Sequence, residues 1–340
     1  MKRGEGVIAP DTRRARARAR GFPEWHLAGT LAEAAWRAYQ GAVVVAGGVD
    51  VSERLRLAPR APATVVCIRG LAELHRVEVR HDGLCIGTLV TLQELAQSPV
   101  VLARFPEVAR AAGMAATPAV RAAATVGGNL LQYPRCWSLR TEGRPCRRLG
   151  ADRCPLEGRW AAEGALFDRQ ACACAHPSSL APVLIAHDAR VEAHSISGMV
   201  RLPLDRLYPP RRTAGPRPAC TTPADILTCV HLRWPVAGEM AFFDARRVRD
   251  TITASVAGRV AVRGQLVTAA RVVLGGVAPS PWRATEAEAR LLGARLSPAA
   301  LRDAVRAELD RAVAPAASVS KHRALKAAAL TALRAGAAVT

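Results

Sequence analysis

Two glycine pairs decide the fold of this chain. The first lies in Ala46-Gly47-Gly48-Val49-Asp50, directly after the apolar run of residues 42–46, which we interpret as a buried strand. The second lies in Thr125-Val126-Gly127-Gly128-Asn129-Leu130, after a short run at 124–126 that we also interpret as a strand. Glycine lacks a Cβ and tolerates positive φ, so backbone amides in such turns can approach an anion. Two such turns, without a P-loop lysine, favour a dinucleotide clamped by its pyrophosphate outside a Rossmann fold.

Composition bounds the class of protein. The 340 residues are 50% hydrophobic, which allows a large core in one or two domains. No apolar run approaches the ~18 residues of a membrane-spanning helix. The net charge of +20 comes almost wholly from arginine, which we attribute mainly to coding preference. With only 4% aromatic residues and no recognised binding motif, the sequence argues against a nucleic-acid-binding protein.

Periodicity predicts the organisation of the chain. Residues 1–21 include a run, 14–20, in which arginine alternates with alanine. The stretch has neither an apolar segment nor a secretory signal, so we interpret it as a basic disordered tail. The Pro- and Arg-rich stretch 209–218 is predicted as an inter-domain linker. Predicted helices cover residues 31–39, 91–97, 100–113, 180–185, 285–292, 298–313 and 318–335. Predicted strands cover residues 42–46, 64–68, 77–80 and 84–89. Residues 225–232, 240–243, 252–262 and 266–274 are predicted as strands or a mixture of strand and helix.

A cysteine-rich segment stands out between residues 133 and 174. It has no apolar period, and a structureless loop of that length is usually functional. Crowded thiols suggest metal ligation in a reducing compartment, and the spacings of nine, seven and seventeen residues lack the close pairs of structural zinc sites. A cubane iron–sulfur cluster suits four scattered thiolates better. The crowded cysteines are Cys136, Cys146, Cys154, Cys172 and Cys174, whereas Cys67, Cys85, Cys220 and Cys229 are interpreted as small core residues.

Together these motifs resemble the flavin subunit of the molybdenum hydroxylases, the group of xanthine dehydrogenases, carbon monoxide dehydrogenases and aldehyde oxidoreductases. The family's AGGTD-like turn, ATxGGN turn and C-terminal signature correspond to Ala46–Asp50, Ala124–Asn129 and Leu274–Glu288 (LGGVAPSPWRATEAE). The resemblance covers about residues 22 to 335.

The resemblance implies an α+β fold. A two-lobed FAD-binding domain at 22–212, with the cysteine-rich loop 133–174, is followed by a smaller C-terminal domain of antiparallel strands and helices at 219–335. It implies an oxidoreductase in which this chain is the FAD-binding electron-transfer subunit. A large subunit carries the molybdenum cofactor, a small subunit carries 2Fe–2S clusters, and an external acceptor receives the electrons. We expect a cytoplasmic location, with periplasmic export on a partner subunit as the alternative.

The resemblance also implies site residues, none of them catalytic. The expected FAD-binding residues are Val45, Ala46, Gly47, Gly48, Val49, Asp50, Thr125, Val126, Gly127, Gly128, Asn129, Ser178 and Ser179. A subset of the family, similar to aromatic-aldehyde oxidoreductases and 4-hydroxybenzoyl-CoA reductase, carries a 4Fe–4S cluster in such an insertion. Its last ligand lies four residues before the histidine of an HPSD motif, which selects Cys172 and leaves Cys174 spare. The expected ligands are Cys136, Cys146, Cys154 and Cys172.

Three departures from the family pattern motivate an alternative function. Val49 replaces the threonine of the first turn, Ser179 replaces the aspartate expected to hold the ribose, and Phe242-Phe243 occupies a segment where a lysine is common. Each loss weakens the expected flavin site. The alternative is a flavin-free structural or assembly paralogue of the same subunit.

Overall fold

The computed structural model describes residues 23–57, 62–140, 146, 151–154, 164–168, 172–208, 225–248, 251–312 and 319–336. The predicted basic tail at 1–21, the predicted linker at 209–218 and Cys220 lie outside these residues. The described chain folds into three sheets with flanking helices. None of the described helices is both long and apolar enough to cross a bilayer.

The first lobe is built on a three-stranded parallel sheet in the order β1-β3-β2. Its elements are β1 (Glu24–Leu27), α1 (Leu31–Tyr39), β2 (Val43–Val45), α2 (Val49–Leu57) and β3 (Thr64–Cys67). Helix α1 begins where the Thr30 side chain accepts a hydrogen bond from the amide of Glu33, and it buries a face of alanines. Parallel strands need such helical crossovers between them. The helix predicted at 31–39 and the strand before the first glycine pair are both confirmed.

The second lobe contains a five-stranded antiparallel sheet in the order β4-β5-β8-β6-β7. Its strands are β4 (Val77–Arg80), β5 (Gly83–Gly87), β6 (Arg190–Ser195), β7 (Gly198–Pro203) and β8 (Ile226–Arg233). The hairpin predicted at 77–89 is confirmed as β4 and β5.

Strand β8 was expected in the C-terminal domain, and that placement is wrong. It is the central strand of the second lobe and pairs with β5 on one side and β6 on the other. Seven of its eight residues are buried in succession, a pattern typical of a strand covered on both faces. The second-lobe sheet therefore takes in residues beyond the predicted linker.

Helices cover the second lobe. They are α3 (Leu92–Gln97), α4 (Pro99–Arg104), α5 (Pro106–Met114), α6 (Pro118–Ala123), α7 (Val126–Leu130), α8 (Trp137–Arg140) and α9 (Leu180–Ala186), with 3₁₀ turns at Ala72–His75 and Leu204–Leu207. The single helix predicted over 100–113 is two helices, because Phe105 leaves helical geometry immediately before Pro106. The strand predicted at 124–126 is wrong: Thr125 forms one isolated bridge with Thr91 and then begins α7.

The C-terminal domain has a four-stranded antiparallel sheet in the order β12-β11-β10-β9, as expected from the family resemblance. Its elements are β9 (Glu239–Val248), β10 (Thr251–Arg263), β11 (Leu266–Gly275), β12 (Trp282–Arg283), α10 (Thr285–Leu291), α11 (Pro298–Asp310) and α12 (Val319–Gly336). One apolar cluster joins the sheet to these helices.

Part of the cysteine-rich segment belongs to this C-terminal core. The amides of Leu166 and Phe167 donate to the carbonyl of Val277, and the Phe167 ring stacks on Trp282 with centroids 4.4 Å apart. Just beyond the segment, the amide of His176 donates to the carbonyl of Ala278. The end of the segment is therefore fixed by the turn between β11 and β12.

Two of the cysteines assigned to the core are confirmed as buried. Cys85 on β5 and Cys229 on β8 are about 5% exposed, and they form a disulfide between the two strands, with Cα atoms 5.9 Å apart. The sequence did not predict this pairing, since the two residues are 144 positions apart. Cys67 is half-buried at the end of β3.

Glu308 on α11 organises the C-terminal domain and yields the first prediction. Its fully buried carboxylate accepts from Trp282 Nε1 at 3.0 Å and from the amides of Glu286 and Ala287 at 2.8 and 3.3 Å. Glu308→Ala leaves these donors buried without an acceptor, so we expect the free energy of unfolding to fall by about 2–4 kcal/mol. Urea denaturation measures this. The exposed Glu73→Ala is the matched control, and an equal loss in both variants would contradict the prediction.

Candidate functional site

A cavity of about 530 Å³ is lined by both glycine pairs. This volume lies within the usual range for a small-molecule or cofactor site. Of the predicted FAD-binding residues, it is lined by Ala46, Gly47, Gly48, Val49, Asp50, Thr125, Gly127, Gly128, Asn129 and Ser179. Val45, Val126 and Ser178 are not among its lining residues. The fold thus brings most of the predicted set to one place.

The first glycine pair lines the cavity, and its backbone amides are not used by the described fold. Strand β2 ends at Val45 and α2 begins at Val49, with Gly48 between them at φ +78°, a conformation that favours glycine. No described residue accepts a hydrogen bond from the amides of Gly47 or Gly48. The first turn of α2 likewise has amides without intrahelical acceptors, and a helix N-terminus carries partial positive charge. The arrangement suits an anionic group.

Gly47 is also required for packing. A Cβ built on Gly47 would lie 1.8 Å from the carbonyl oxygen of Ala123, at the end of α6. Only glycine allows this approach, because real Cβ atoms do not come within 3.0 Å of a backbone atom. The turn of the first lobe therefore rests directly on the backbone of the second.

The second glycine pair has a different role. The amide of Gly127 donates to the carbonyl of Thr88 at 2.9 Å, and the amide of Gly128 donates to the Thr125 hydroxyl at 3.1 Å. A Cβ on Gly127 would lie 2.9 Å from the Cβ of Thr88. These amides are used by the fold, so this pair contributes a closely packed wall of the cavity.

Asn129, Ser178 and Ser179 form a buried network behind this wall. The Asn129 Oδ1 atom accepts from the Ser178 hydroxyl at 2.7 Å and from the amide of Leu180 at 3.2 Å. Its Nδ2 atom donates to the Ser179 Oγ at 3.3 Å. The network joins α7 to the start of α9 and positions Ser179 at the cavity.

A charged cluster that sequence reasoning missed forms another side of the cavity. Arg140 reaches from α8 to the carboxylates of Asp50 and Glu53 on α2. The Arg54 guanidinium lies over the ring of Tyr133, with its Cζ atom 3.6 Å from the ring centroid. These five residues all line the cavity. The ion pairs join parts of the chain about 90 positions apart, and no local pattern singles out Arg140 among its arginine neighbours.

The cysteine-rich segment is only partly described. Cys136 and Cys146 are buried, and Cys154, Cys172 and Cys174 are half-buried. The amide of Cys174 donates to the Cys172 sulfur at 3.4 Å. Within the described ranges, no three His, Cys, Asp or Glu side chains are placed to hold a metal ion. The geometry therefore gives no support to a ligand set of Cys136, Cys146, Cys154 and Cys172.

Two protein families match this chain, in the same order as its domains. Residues 19–234 match the FAD binding domain in molybdopterin dehydrogenase. Residues 242–334 match the CO dehydrogenase flavoprotein C-terminal domain. The first match ends just after β8, which agrees with the placement of that strand in the second lobe.

Individual proteins agree with these families. The aldehyde oxidoreductase FAD-binding subunit PaoB of Escherichia coli is 34% identical over 270 residues, covering 77% of this chain and 83% of that protein. A xanthine dehydrogenase FAD-binding subunit of Escherichia coli O157:H7 is 25% identical over 304 residues, with 87% and 88% coverage. A carbon monoxide dehydrogenase structure from Hydrogenophaga pseudoflava superposes with a TM-score of 0.71 at 21% identity, over 94% of this chain and 99% of that one. The chain belongs to the FAD-binding subunits of the molybdenum hydroxylases, a family of oxidoreductases.

Proposed function

We propose that this chain holds FAD in the cavity at its glycine pairs and works as the electron-transfer subunit of a multi-subunit molybdenum-containing oxidoreductase. One observation carries the proposal. Gly47 and Gly48, whose amides no described residue accepts from, and the first turn of α2 line a cavity of suitable size in a chain of an FAD-binding family. When bound, FAD supplies the redox chemistry, and the protein supplies binding and orientation.

The expected partners follow from the family. A large subunit with the molybdenum cofactor would oxidise the substrate, and a small 2Fe–2S subunit would deliver the electrons to this chain. An external acceptor would then receive them. The similarity to an aldehyde oxidoreductase subunit favours that type over the xanthine dehydrogenase type. We propose a cytoplasmic location, with periplasmic export on a partner as the alternative.

The three departures from the family pattern fit this proposal in different ways. Val49 loses a hydroxyl, but its backbone amide stays in the first turn of α2. Phe242 and Phe243 are about 1% exposed and pack in the protein core, so they serve the fold. Ser179 is engaged by Asn129, which leaves its oxygen able to accept further hydrogen bonds at the cavity.

Flavin content separates the proposal from the flavin-free paralogue. The complex is purified, its visible spectrum is recorded, and any flavin released by denaturation is identified by chromatography. We expect FAD in near-stoichiometric amount. A purified, folded complex with neither flavin absorption nor released FAD would establish the structural paralogue instead.

The Gly47 contact generates a sharper prediction. In Gly47→Ala, the new Cβ collides with the carbonyl of Ala123. The turn must therefore move, and its amides are displaced from their positions at the cavity. We expect FAD affinity to fall by about tenfold or more, measured by the quenching of flavin fluorescence on binding.

Gly113→Ala on α5 is the matched control. Its Cβ would make an ordinary contact, 3.7 Å from the Cβ of Ala96. It should bind FAD like the unmodified chain, and circular dichroism should show both variants folded. Undiminished FAD affinity in Gly47→Ala would contradict the assignment of this turn to the cofactor.

We propose separately that Cys136, Cys146, Cys154 and Cys172 ligate a 4Fe–4S cluster. Their spacing and the resemblance to the cluster-containing subset support it. The hydrogen bond from the Cys174 amide to the Cys172 sulfur is of the kind that surrounds cluster ligands. Because the described geometry does not assemble these ligands, no step in electron transfer is assigned to the cluster.

Cysteine variants test the cluster. Cys154→Ser should lose iron and sulfide and leave FAD bound, because no cysteine is among the described residues that line the cavity. Cys174→Ser and Cys67→Ser should keep the iron. Anaerobic iron and sulfide analysis with electron paramagnetic resonance measures this. Zinc in place of iron in the unmodified protein would refute the cluster. Loss of iron from Cys174→Ser but not from Cys172→Ser would show that Cys174, and not Cys172, is the fourth ligand.

A further inference from the structure

The guanidinium of Arg140 fastens the start of the cysteine-rich segment onto helix α2. Its Nη2 atom donates to Asp50 Oδ1 at 2.7 Å and to the carbonyl of Tyr133 at 3.1 Å. Its Nε atom donates to the carbonyl of Pro134 at 3.0 Å, and its Nη1 atom contacts Glu53. One side chain thus joins two carboxylates of the first lobe to two carbonyls of the segment.

Asp50 completes this connection from the other side. Its second oxygen, Oδ2, accepts from the amide of Tyr133 at 3.1 Å. Both oxygens of Asp50 are therefore engaged in holding the segment. Asp50 is also one of the expected FAD-binding residues, and its hydrogen bonds give it the further role of anchoring the wall of the cavity.

Burial makes the cluster sensitive to the loss of one member. The Arg140 side chain is 8% exposed and that of Asp50 is 19% exposed, whereas that of Glu53 is 45% exposed. Removing one partner of a largely buried ion pair leaves the other charge uncompensated. This lowers folding stability far more than the loss of an exposed pair does. Asp50 is therefore the partner that matters most to Arg140.

The connection shapes the cavity through Tyr133. Held at both its amide and its carbonyl, Tyr133 lies under the guanidinium of Arg54, and both side chains line the cavity. If the segment is released, Tyr133 and Arg54 lose their fixed positions together. Arg140 therefore shapes this wall indirectly. Its own guanidinium is paired with two carboxylates, and it acts by holding Tyr133 in place.

We propose that Arg140 is a positioning residue for the cofactor, which couples the cysteine-rich segment to the flavin cavity through Asp50 and Tyr133. The inference rests on the proposed function, since it assumes that the cavity holds FAD. Arginine suits the role because its planar fork offers five donors to acceptors on two elements. Lysine retains the charge but not this geometry.

The test measures FAD affinity of the purified complex by flavin fluorescence. We expect Arg140→Ala to raise the Kd for FAD by about tenfold or more, Arg140→Lys to recover part of the loss, and Asp50→Asn to resemble Arg140→Ala. Glu53→Gln should raise the Kd less than Asp50→Asn does, since the Glu53 side chain is more exposed. Arg201→Ala, which removes a half-exposed partner of Glu192 on another strand, should leave the Kd unchanged.

Glu308→Ala distinguishes a positioning role from a general loss of stability. This variant weakens the C-terminal domain without touching the cavity, so it should retain FAD affinity. The positioning role is overturned if the unmodified complex binds FAD while Arg140→Ala and Asp50→Asn, both folded, bind it equally well. It is also overturned if Glu308→Ala loses FAD as Arg140→Ala does. A complex that binds no FAD in its unmodified form refutes the proposed function instead.

Discussion

The approach of Gly47 to the carbonyl of Ala123 is the contact on which the cavity depends. It seats the end of β2, in the parallel sheet of the first lobe, against the end of α6 in the second. No other amino acid permits it, so glycine is required here by the fold, whatever ligand binds. The free amides of the turn and the start of α2 take their positions from this contact. The two lobes form one site because their backbones touch.

The sequence predicted the first glycine turn because its signal is local. Three valines and an alanine lead into two glycines, and strand and turn follow from that pattern alone. The second turn was misjudged because two local preferences compete at Thr125. Its β-branched side chain favours a strand, but its hydroxyl accepts from the amide of Gly128 and begins a helix instead. The position of Arg140 was beyond prediction, because its partners on α2 lie about 90 residues away.

The cysteine-rich segment proved less uniform than its composition suggested. Its beginning is tied to α2 by Arg140, and its end packs into the C-terminal core through Leu166 and Phe167. Those two apolar residues are buried, yet they are too few to form a periodic pattern among so many arginines, glycines and prolines. The segment therefore contacts the first lobe at its start and the C-terminal core near its end.

The central position of β8 has a consequence for how the chain folds during synthesis. The parallel sheet of the first lobe uses only strands up to residue 67, so it can assemble while the ribosome is still working. The second sheet cannot close until β8 emerges, because β5 and β6 meet only through it. Until then both strands present open edges, which are prone to pair with other chains. The pairing of β5 with β8 joins residues more than 130 positions apart. Contacts of such long sequence separation form slowly, so the closure of this sheet is slow. The nascent chain therefore carries two unpaired strand edges until residue 233 has left the ribosome.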